Sequence, residues 1–273
     1  MGNNDLTTEI SIRKLNDIDD LEKITDLQVQ VWGFDYRDAI PAHIMKSIGV
    51  GPCTPLGAEI DGKMVGFIYT FPTPNPKKQY LHMIGIHPDY QSKSVGEELF
   101  KEQLKQSQSY GIETLEWTYD PLECANAKLY IAKIGGIVEG EYQRDNYGNQ
   151  DGINDGLPSD RLNVTWRVNS ERVKKKFENK NERSLDKIIG PEEILIEVPH
   201  NFQEIKKLDF DEAIKWRYDT RELFENFFSQ GYHIMDFISK NGTPDGLIKN
   251  FYLLEKSENK LIRGENGRNH KNT

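Results

Sequence analysis

The sequence predicts an α/β fold on three observations. A short apolar run at residues 81–86 ends at a proline, and a polar turn and a helically spaced apolar pattern follow it. Two alternating segments flank the dipeptide Asp61-Gly62, which is typical of a β-hairpin turn. Another alternating segment, 114–120, follows the predicted helix, so strands and helices alternate along the chain.

The remaining elements are predicted in the same way. Residues 9–14 alternate as a short first strand, and residues 17–32 carry apolar side chains at helical spacing. Residues 35–55 contain several prolines and glycines and predict a loop that includes a helix. Residues 121–136 predict a loop and a short helix, and residues 162–168 predict a strand.

Beyond residue 169 the composition changes. Residues 170–187 are rich in Lys, Arg, Glu and Asn, as in a solvated helix or a linker. Strands are then predicted at 193–198, 233–239 and 251–255, with a helix at 202–231. We interpret this β-α-β-β order either as a degenerate half-repeat of the preceding domain or as an extension packed on it.

These patterns predict four regions. They are a domain at 9–168, a charged linker or helix at 169–190, an α/β unit at 191–255 and a disordered tail at 256–273.

Composition excludes several classes of protein. A formal net charge of −9 argues against a nucleic-acid-binding protein, which needs a basic face. The two cysteines, Cys53 and Cys124, are too few for a disulfide framework and lack metal-ligand spacing. No signal peptide or membrane span is recognisable. We therefore expect a cytoplasmic protein with no metal, no nucleic-acid partner and no membrane partner, and a homodimer is left open.

The turn after residues 81–86 consists of small and polar residues at the start of a helix. Backbone N–H groups there have no intrahelical acceptor, and the helix dipole places its positive end there. Such a turn is typical of a phosphate site. Its members are Gln91, Ser92, Lys93, Ser94, Val95 and Gly96.

Residues 87–96 resemble the acyl-CoA-binding signature of the GNAT superfamily of N-acetyltransferases. That signature is a strand ending in Val/Ile-x-Pro, followed by Gln/Arg-x-x-Gly-x-Gly/Ala and a helix. Gln91 and Gly96 match it, whereas Ser94 replaces the first glycine. Because serine has a Cβ atom, a positive φ at this position would cost more than it does for glycine.

A second block, 121–136, is similar to the Asn-x-x-Ala-x-x-Tyr-x-x-x-Gly element of the superfamily. Together with segments 117–122, 147–148 and 157–161 it resembles one branch of bacterial and archaeal proteins, mostly predicted acetyltransferases. The resemblance covers about residues 10–168. It implies a mixed, twisted sheet flanked by helices, to which the β-α-β-β extension is added.

The resemblance also implies a ligand, acetyl-CoA or another acyl-CoA. Its phosphates would lie on the turn, the Asn126 amide would bind the pantetheine arm, and backbone N–H groups around 83–86 would stabilise the oxyanion. The cofactor-binding residues expected are Met83, Ile84, Ile86, Gln91, Ser92, Lys93, Ser94, Val95, Gly96 and Asn126.

The superfamily often protonates the leaving thiolate with a tyrosine four residues before the glycine that ends the second block. Counting back from Gly135 gives Ile131, so Tyr130 is one residue out of register. A tightened or bulged helix would restore it. Without an acid, thiolate departure at pH 7 would forgo at most about 2 kcal/mol, given a thiol pKa of about 8.5.

The group that removes the amine proton has several candidates. His82 and His87 flank the central strand and could act directly or through water, although a strand histidine and a turn cap are the ordinary interpretations. Glu59 and Glu116 are alternatives, each more typical of a strand surface.

Two further pairs of charged residues are candidate anion-binding groups. Asp160 and Arg161 could hold a substrate carboxylate, although such a pair is more often structural. Arg217 and Arg221 lie four residues apart on one predicted helix face, and a solvated stripe is favoured over an anion site.

The resemblance therefore implies direct transfer of an acetyl or succinyl group from acyl-CoA to the amine of a small molecule such as an amino acid. A protein-lysine acetyltransferase and a non-catalytic acyl-CoA sensor are the alternatives, the latter because of Ser94 and the displaced Tyr130.

Overall fold

The computed structural model describes residues 9–33, 35–148, 156–178, 190, 192–241 and 248–256. The chain divides into two compact units. The first comprises Met1–Trp117, Tyr147–Gly156 and Trp166–Val168. The second comprises Thr118–Asn146, Leu157–Thr165 and Asn169–Thr273. The four-region division predicted from the sequence stays a prediction.

The predicted hairpin is confirmed in the first unit. Strands β2 (Leu56–Ile60) and β3 (Lys63–Pro72) pair in antiparallel fashion. Asp61 and Gly62 have φ angles of +51° and +74°, as a two-residue hairpin turn of type I′ requires. Around the hairpin lie β1 (Ser11–Lys14), α1 (Ile18–Trp32), α2 (Ala42–Ile48), β4 (Lys78–Ile86), α3 (Val95–Ser109) and β5 (Thr114–Tyr119).

The main sheet is mixed and mostly antiparallel, as expected. Two strands complete it, β6 (Tyr142–Gln143) and β7 (Arg161–Arg167). The strand order is β1-β2-β3-β4-β5-β7-β6, and the division between the units falls within β5 and β7. β4 and β5 are parallel, whereas β1 to β4 pair in antiparallel fashion.

Helices cover both faces of β3. Phe67 and Tyr69 belong to a buried cluster with residues of α1 and α2. Successive strand residues face opposite sides, so Gly66 faces the other way. A Cβ atom on Gly66 would lie 3.0 Å from Val95 Cγ1 of α3. The absence of a side chain there lets α3 approach the sheet closely.

The second unit carries its own three-stranded antiparallel sheet, in the order β8-β10-β9. The strands are β8 (Ile194–Val198), β9 (Tyr232–Lys240) and β10 (Lys249–Lys256). Its helices are α4 (Cys124–Ala127), which continues as a π-helix (Lys128–Lys133), α5 (Glu171–Phe177), α6 (Phe202–Leu208) and α7 (Phe210–Ser229). The predicted β-α-β-β extension is thus observed.

The prediction of one helix at 202–231 was wrong, because Asp209 divides it. Asp209 has φ −146° and ψ 92°, which ends α6. Its carboxylate accepts a hydrogen bond from the Glu212 backbone N–H at 3.0 Å and so caps α7. The sequence signal for this break is an aspartate, the residue type that favours the N-cap position.

The charged segment after residue 169 is helical where it is described. Ser170 caps α5 by accepting a hydrogen bond from the Val173 backbone N–H at 3.3 Å. Residues 179–189 of the predicted linker, and the predicted tail beyond Lys256, lie outside the described residues. None of the helices described is long and apolar enough to cross a membrane.

Replacing Leu21 with alanine is expected to destabilise the first unit by about 2–5 kcal/mol, because Leu21 is 1% exposed and its removal leaves a cavity. Ile18 of the same helix is 42% exposed, so Ile18→Ala should change the free energy of unfolding by less than about 0.5 kcal/mol. Urea unfolding followed by tryptophan fluorescence measures both. Equal losses would contradict the packing of α1.

Candidate functional site

The predicted phosphate turn joins β4 to α3. After a 3₁₀ turn at Pro88–Tyr90 the backbone is extended at Gln91, and then Ser92 and Ser94 adopt φ angles of +62° and +61°. Ser94 directly precedes α3, and its side chain makes no capping hydrogen bond. The first-turn N–H groups of α3 have no intrahelical acceptor, so this is the positive end of the helix dipole. The turn has the geometry of an anion site.

The side chains of the turn divide between solvent and core. Gln91, Ser92, Lys93 and Ser94 are exposed, whereas Val95 and Gly96 are buried. Gln91 Nε2 donates a hydrogen bond to the Ile86 carbonyl oxygen at 3.4 Å, which links the turn to the end of β4.

Two lysines place positive charge beside this turn. The Nζ atoms of Lys93 and Lys63 lie 4.7 Å and 5.5 Å from the ring centre of Tyr90. Lys63 begins β3, so its position depends on strand pairing, and the sequence analysis did not identify it. The tyrosine ring gathers both ammonium groups at the surface through cation–π contacts.

The C-terminal half of β4 has one open edge. β4 pairs with β5 only from Lys78 to Tyr80, whereas its pairing with β3 continues to Ile86. The His87 N–H donates to the Val65 carbonyl oxygen at 2.8 Å. Because backbone groups alternate along a strand, Met83 and Gly85 also face β3, and the N–H groups of Ile84 and Ile86 face away from it. Of the predicted 83–86 segment, these two amides can bind a ligand backbone or an oxyanion.

His82 is the extra residue of a β-bulge in β4. Tyr69 pairs with Met83 and Thr70 pairs with Leu81, which leaves His82 without a cross-strand partner. Its imidazole stacks on Phe71 with ring centres 4.4 Å apart and meets the Tyr69 ring edge-on at 6.2 Å.

Burial determines the charge state of His82. Its Nε2 atom is buried and makes no hydrogen bond to any residue in the described part of the chain. Burial lowers the pKa of the imidazole below its usual value. The ring is therefore neutral near pH 7 and keeps a nitrogen that can accept a proton.

The alternative bases already have partners. His87 Nδ1 accepts a hydrogen bond from the Asp89 backbone N–H at 3.2 Å, which is the turn-capping interpretation. Glu59 lies 2.7 Å from Arg13 Nη2, and Glu116 lies 2.7 Å from Lys78 Nζ. Within the described residues of the first unit, His82 is therefore the best-placed candidate base.

A π-helix explains the position of Tyr130. Residues Lys128–Lys133 form this wider turn, in which the Ile134 N–H donates to the Leu129 carbonyl oxygen at 3.1 Å. A π turn accommodates one more residue than an α turn. Tyr130, five residues before Gly135, thus takes the place that a residue four before it would occupy in an α-helix. The bulged-helix alternative is the one observed, whereas the catalytic role of Tyr130 stays a prediction.

The surroundings of Tyr130 keep its hydroxyl protonated. The ring is 6% exposed and meets Tyr119 edge-on with ring centres 5.4 Å apart. Burial raises the pKa of the Tyr130 hydroxyl well above its usual value. Asn126, one turn earlier, is half-buried.

Asp160 is fully buried, and protein groups surround its carboxylate. Arg221 Nε and Nη2 donate to it at 2.8 Å each, Tyr142 Oη at 2.9 Å and the Asp145 N–H at 3.0 Å. Burial alone would raise the pKa of Asp160, but these donors outweigh it and hold the pKa below its usual value. Arg161 Nη1 donates to the Asp160 carbonyl oxygen at 2.9 Å. The predicted substrate role of this pair stays a prediction.

The expectation of a solvated stripe at Arg217 and Arg221 was wrong. Arg217 is 1% exposed and binds Asp120, while Arg221 binds Asp160. Both aspartates are far away in sequence, so helix spacing alone could not identify them. In the described ranges no group of three or more His, Cys, Asp or Glu side chains could hold a metal ion.

Ser94→Gly is expected to stabilise the first unit by roughly 0.5–1 kcal/mol. A non-glycine residue at φ +61° costs roughly 1–2 kcal/mol, part of which glycine loses again through its greater freedom in the unfolded chain. Ser94→Ala keeps the strain and is the matched control. Thermal unfolding compares the three proteins, and an alanine variant as stable as the glycine variant would contradict this account.

Comparison with protein-family models found a match to part of the chain. Residues 21–135 match the sequence model described as Acetyltransferase (GNAT) family. This range contains the β4 edge, the turn, α3 and the second block up to Gly135. No match was found among curated proteins.

Comparison with solved structures found similarity over part of the chain. The ribosomal-protein-S18-alanine N-acetyltransferase from Escherichia coli is 20% identical, with 59% of this chain and 94% of that chain covered and a TM-score of 0.48. A GNAT-family acetyltransferase from Streptococcus pneumoniae is 18% identical, with 58% of this chain and 99% of that chain covered and a TM-score of 0.48. An IAA acetyltransferase from Bacillus cereus is 15% identical, with 58% of this chain and 99% of that chain covered and a TM-score of 0.46. Residues 21–135, which are less than half of this chain, are therefore similar to the GNAT acetyltransferase family.

Proposed function

We propose that this protein transfers an acetyl or succinyl group from acyl-CoA to the amine of a small molecule such as an amino acid. The observation that carries the proposal is the turn before α3, which keeps the backbone geometry of an anion site although serine occupies its glycine position. The family match over residues 21–135 supplies the reaction class.

The proposed acyl-CoA site uses the backbone more than side chains. The N–H groups at the start of α3 bind the phosphates, and Lys93 and Lys63 add positive charge. The outward N–H groups of Ile84 and Ile86 bind the acyl-CoA arm and the oxyanion. The Met83 side chain lines the proposed acyl-CoA site and packs against the buried cluster that contains residues of α1 and α2.

Direct transfer is favoured over a covalent acyl-enzyme because neither cysteine is a suitable nucleophile. Cys124 is buried and donates a hydrogen bond to the Pro199 carbonyl oxygen at 2.9 Å. Burial raises the pKa of its thiol to about 12, so the reactive thiolate is scarce. Cys53 is 3% exposed.

Proton transfer is what favours a small α-amine. At pH 7 an α-amine with pKa near 8 is neutral in about one molecule in ten, whereas a lysine amine is neutral in roughly one in 2,500. The neutral, half-buried imidazole of His82 is a weak base, which suits an amine that is already partly neutral. Tyr130, which retains its proton, is the proposed acid for the leaving thiolate.

Acetyl-CoA, succinyl-CoA and free CoA should all bind the wild-type protein in calorimetric titrations. Ser94→Glu should weaken binding at least about tenfold, because it places a negative charge where the phosphates lie. Ser94→Gln, nearly the same shape without the charge, is the control and should bind within about threefold of the wild type.

The outcomes separate the alternatives. Lack of binding by the wild type, or equal effects of the two substitutions, would overturn the proposed site. Binding without thiol release across a broad panel of amines would favour the acyl-CoA sensor. Transfer to peptides alone would favour a protein acetyltransferase.

His82 should make stability depend on pH. The folded protein holds the pKa of His82 below its usual value, so under acid conditions the unfolded chain binds a proton that the folded chain does not. Stability should therefore fall as the pH decreases from 7 to 5, and by more in the wild type than in His82→Gln. Urea unfolding at both pH values measures the difference. Identical pH dependence in the two proteins would contradict a neutral His82 with a lowered pKa.

A further inference from the structure

The C-terminal extension holds the start of the second block. Within the second unit, residues between 199 and 252 bond to five residues from 119 to 124. The pairs are Tyr119 with Tyr252 at 3.1 Å, Asp120 with Arg217 at 2.9 and 2.5 Å, Pro121 with Tyr252 at 2.8 Å, Glu123 with Gln203 at 2.5 Å and Cys124 with Pro199 at 2.9 Å.

Arg217 makes the ion pair among these contacts. Its guanidinium binds both carboxylate oxygens of Asp120, and both side chains are buried, with exposed fractions of 1% and 6%. Asp120 Oδ1 also accepts the Leu122 N–H at 2.9 Å. The arginine therefore fixes a carboxylate that in turn fixes the backbone leading into α4.

The same helix is anchored at two further points. Arg221, one turn after Arg217, binds Asp160, and Glu225 binds Arg144 one turn later. Three successive turns of α7 thus pair with three different segments of the chain. These three pairs set the rotation and register of α7, and with them the position of Arg217 relative to Asp120.

We propose that Arg217 is a positioning residue for acyl-CoA binding. By holding Asp120 it fixes the entry to α4, and with it the position of Asn126, which lies in α4 (Cys124–Ala127). This inference rests on the proposed function and on the expectation, implied by the family resemblance, that the Asn126 amide binds the pantetheine arm. It assigns the extension a role in the transfer reaction.

Arg217→Lys tests the proposal because lysine keeps the charge but cannot bind Asp120 in a bidentate manner. Calorimetry would compare CoA with adenosine 3′,5′-bisphosphate, which carries phosphates but no pantetheine arm. We expect the Kd for CoA to rise about tenfold, while the Kd for the bisphosphate stays within about twofold.

Two controls separate positioning from general destabilisation. Lys215→Arg changes an exposed residue of the same helix that takes part in none of the three ion pairs, so the ratio of the two Kd values should stay at the wild-type value. In an Asn126→Ala background, Arg217→Lys should cause no further loss of CoA binding, because the two residues act on one contact. If Arg217→Lys does not fold, Tyr252→Phe removes only hydroxyl contacts at Tyr119 and Pro121 and should shift the ratio in the same direction.

The possible results distinguish this inference from the proposed function. A wild type that binds neither ligand would overturn the proposed function and the positioning role with it. A wild type that binds both, combined with equal losses for both ligands in Arg217→Lys or Tyr252→Phe, would overturn the positioning role alone. If Arg217→Lys causes a further loss of CoA binding in the Asn126→Ala background, the positioning role alone would likewise be overturned.

Discussion

The structure of the first unit depends on where β4 loses its parallel neighbour. β4 pairs with β5 only to Tyr80, although β4 itself continues to Ile86 on β3. Buried backbone N–H groups need acceptors, so an edge left open in the middle of a sheet favours a ligand that presents carbonyl groups. The amide bonds of an acyl-CoA arm have this chemistry. The turn and the bulge at His82 both lie next to this open edge.

The turn before α3 keeps a backbone geometry that its serine residues do not favour. Ser92 and Ser94 both have positive φ angles, which non-glycine residues rarely adopt. The hydrophobic contacts of Val95 and Leu99 with the sheet fix the start of α3 and thereby impose the turn on Ser94. Such strain persists only where the surrounding structure determines the conformation, and it is typical of functional loops.

Much of this fold was predictable because its signals are local. The Asp61-Gly62 hairpin, the strand, turn and helix around residues 81–109 and the C-terminal β-α-β-β order follow from periodicity and turn chemistry. The π-helix at Tyr130 and the bulge at His82 were not predictable, since each depends on how neighbouring strands and helices pack. The partners of Arg217 and Arg221 lie 97 and 61 residues away, beyond any spacing rule.

A buried ion pair such as Arg217–Asp120 is weak evidence for stability, because removing both charges from water offsets much of their attraction. Apolar residues of similar volume could hold α7 equally well, but they would allow it to slide or rotate. A bidentate guanidinium–carboxylate pair is satisfied in only one register. Three such pairs on consecutive turns of α7 therefore specify one position for the extension, and Asp120 transmits that position to the backbone at Leu122 and on to α4. A contact that mainly fixes the register of α7 is expected where the position of α4, which this register determines, matters for acyl-CoA binding.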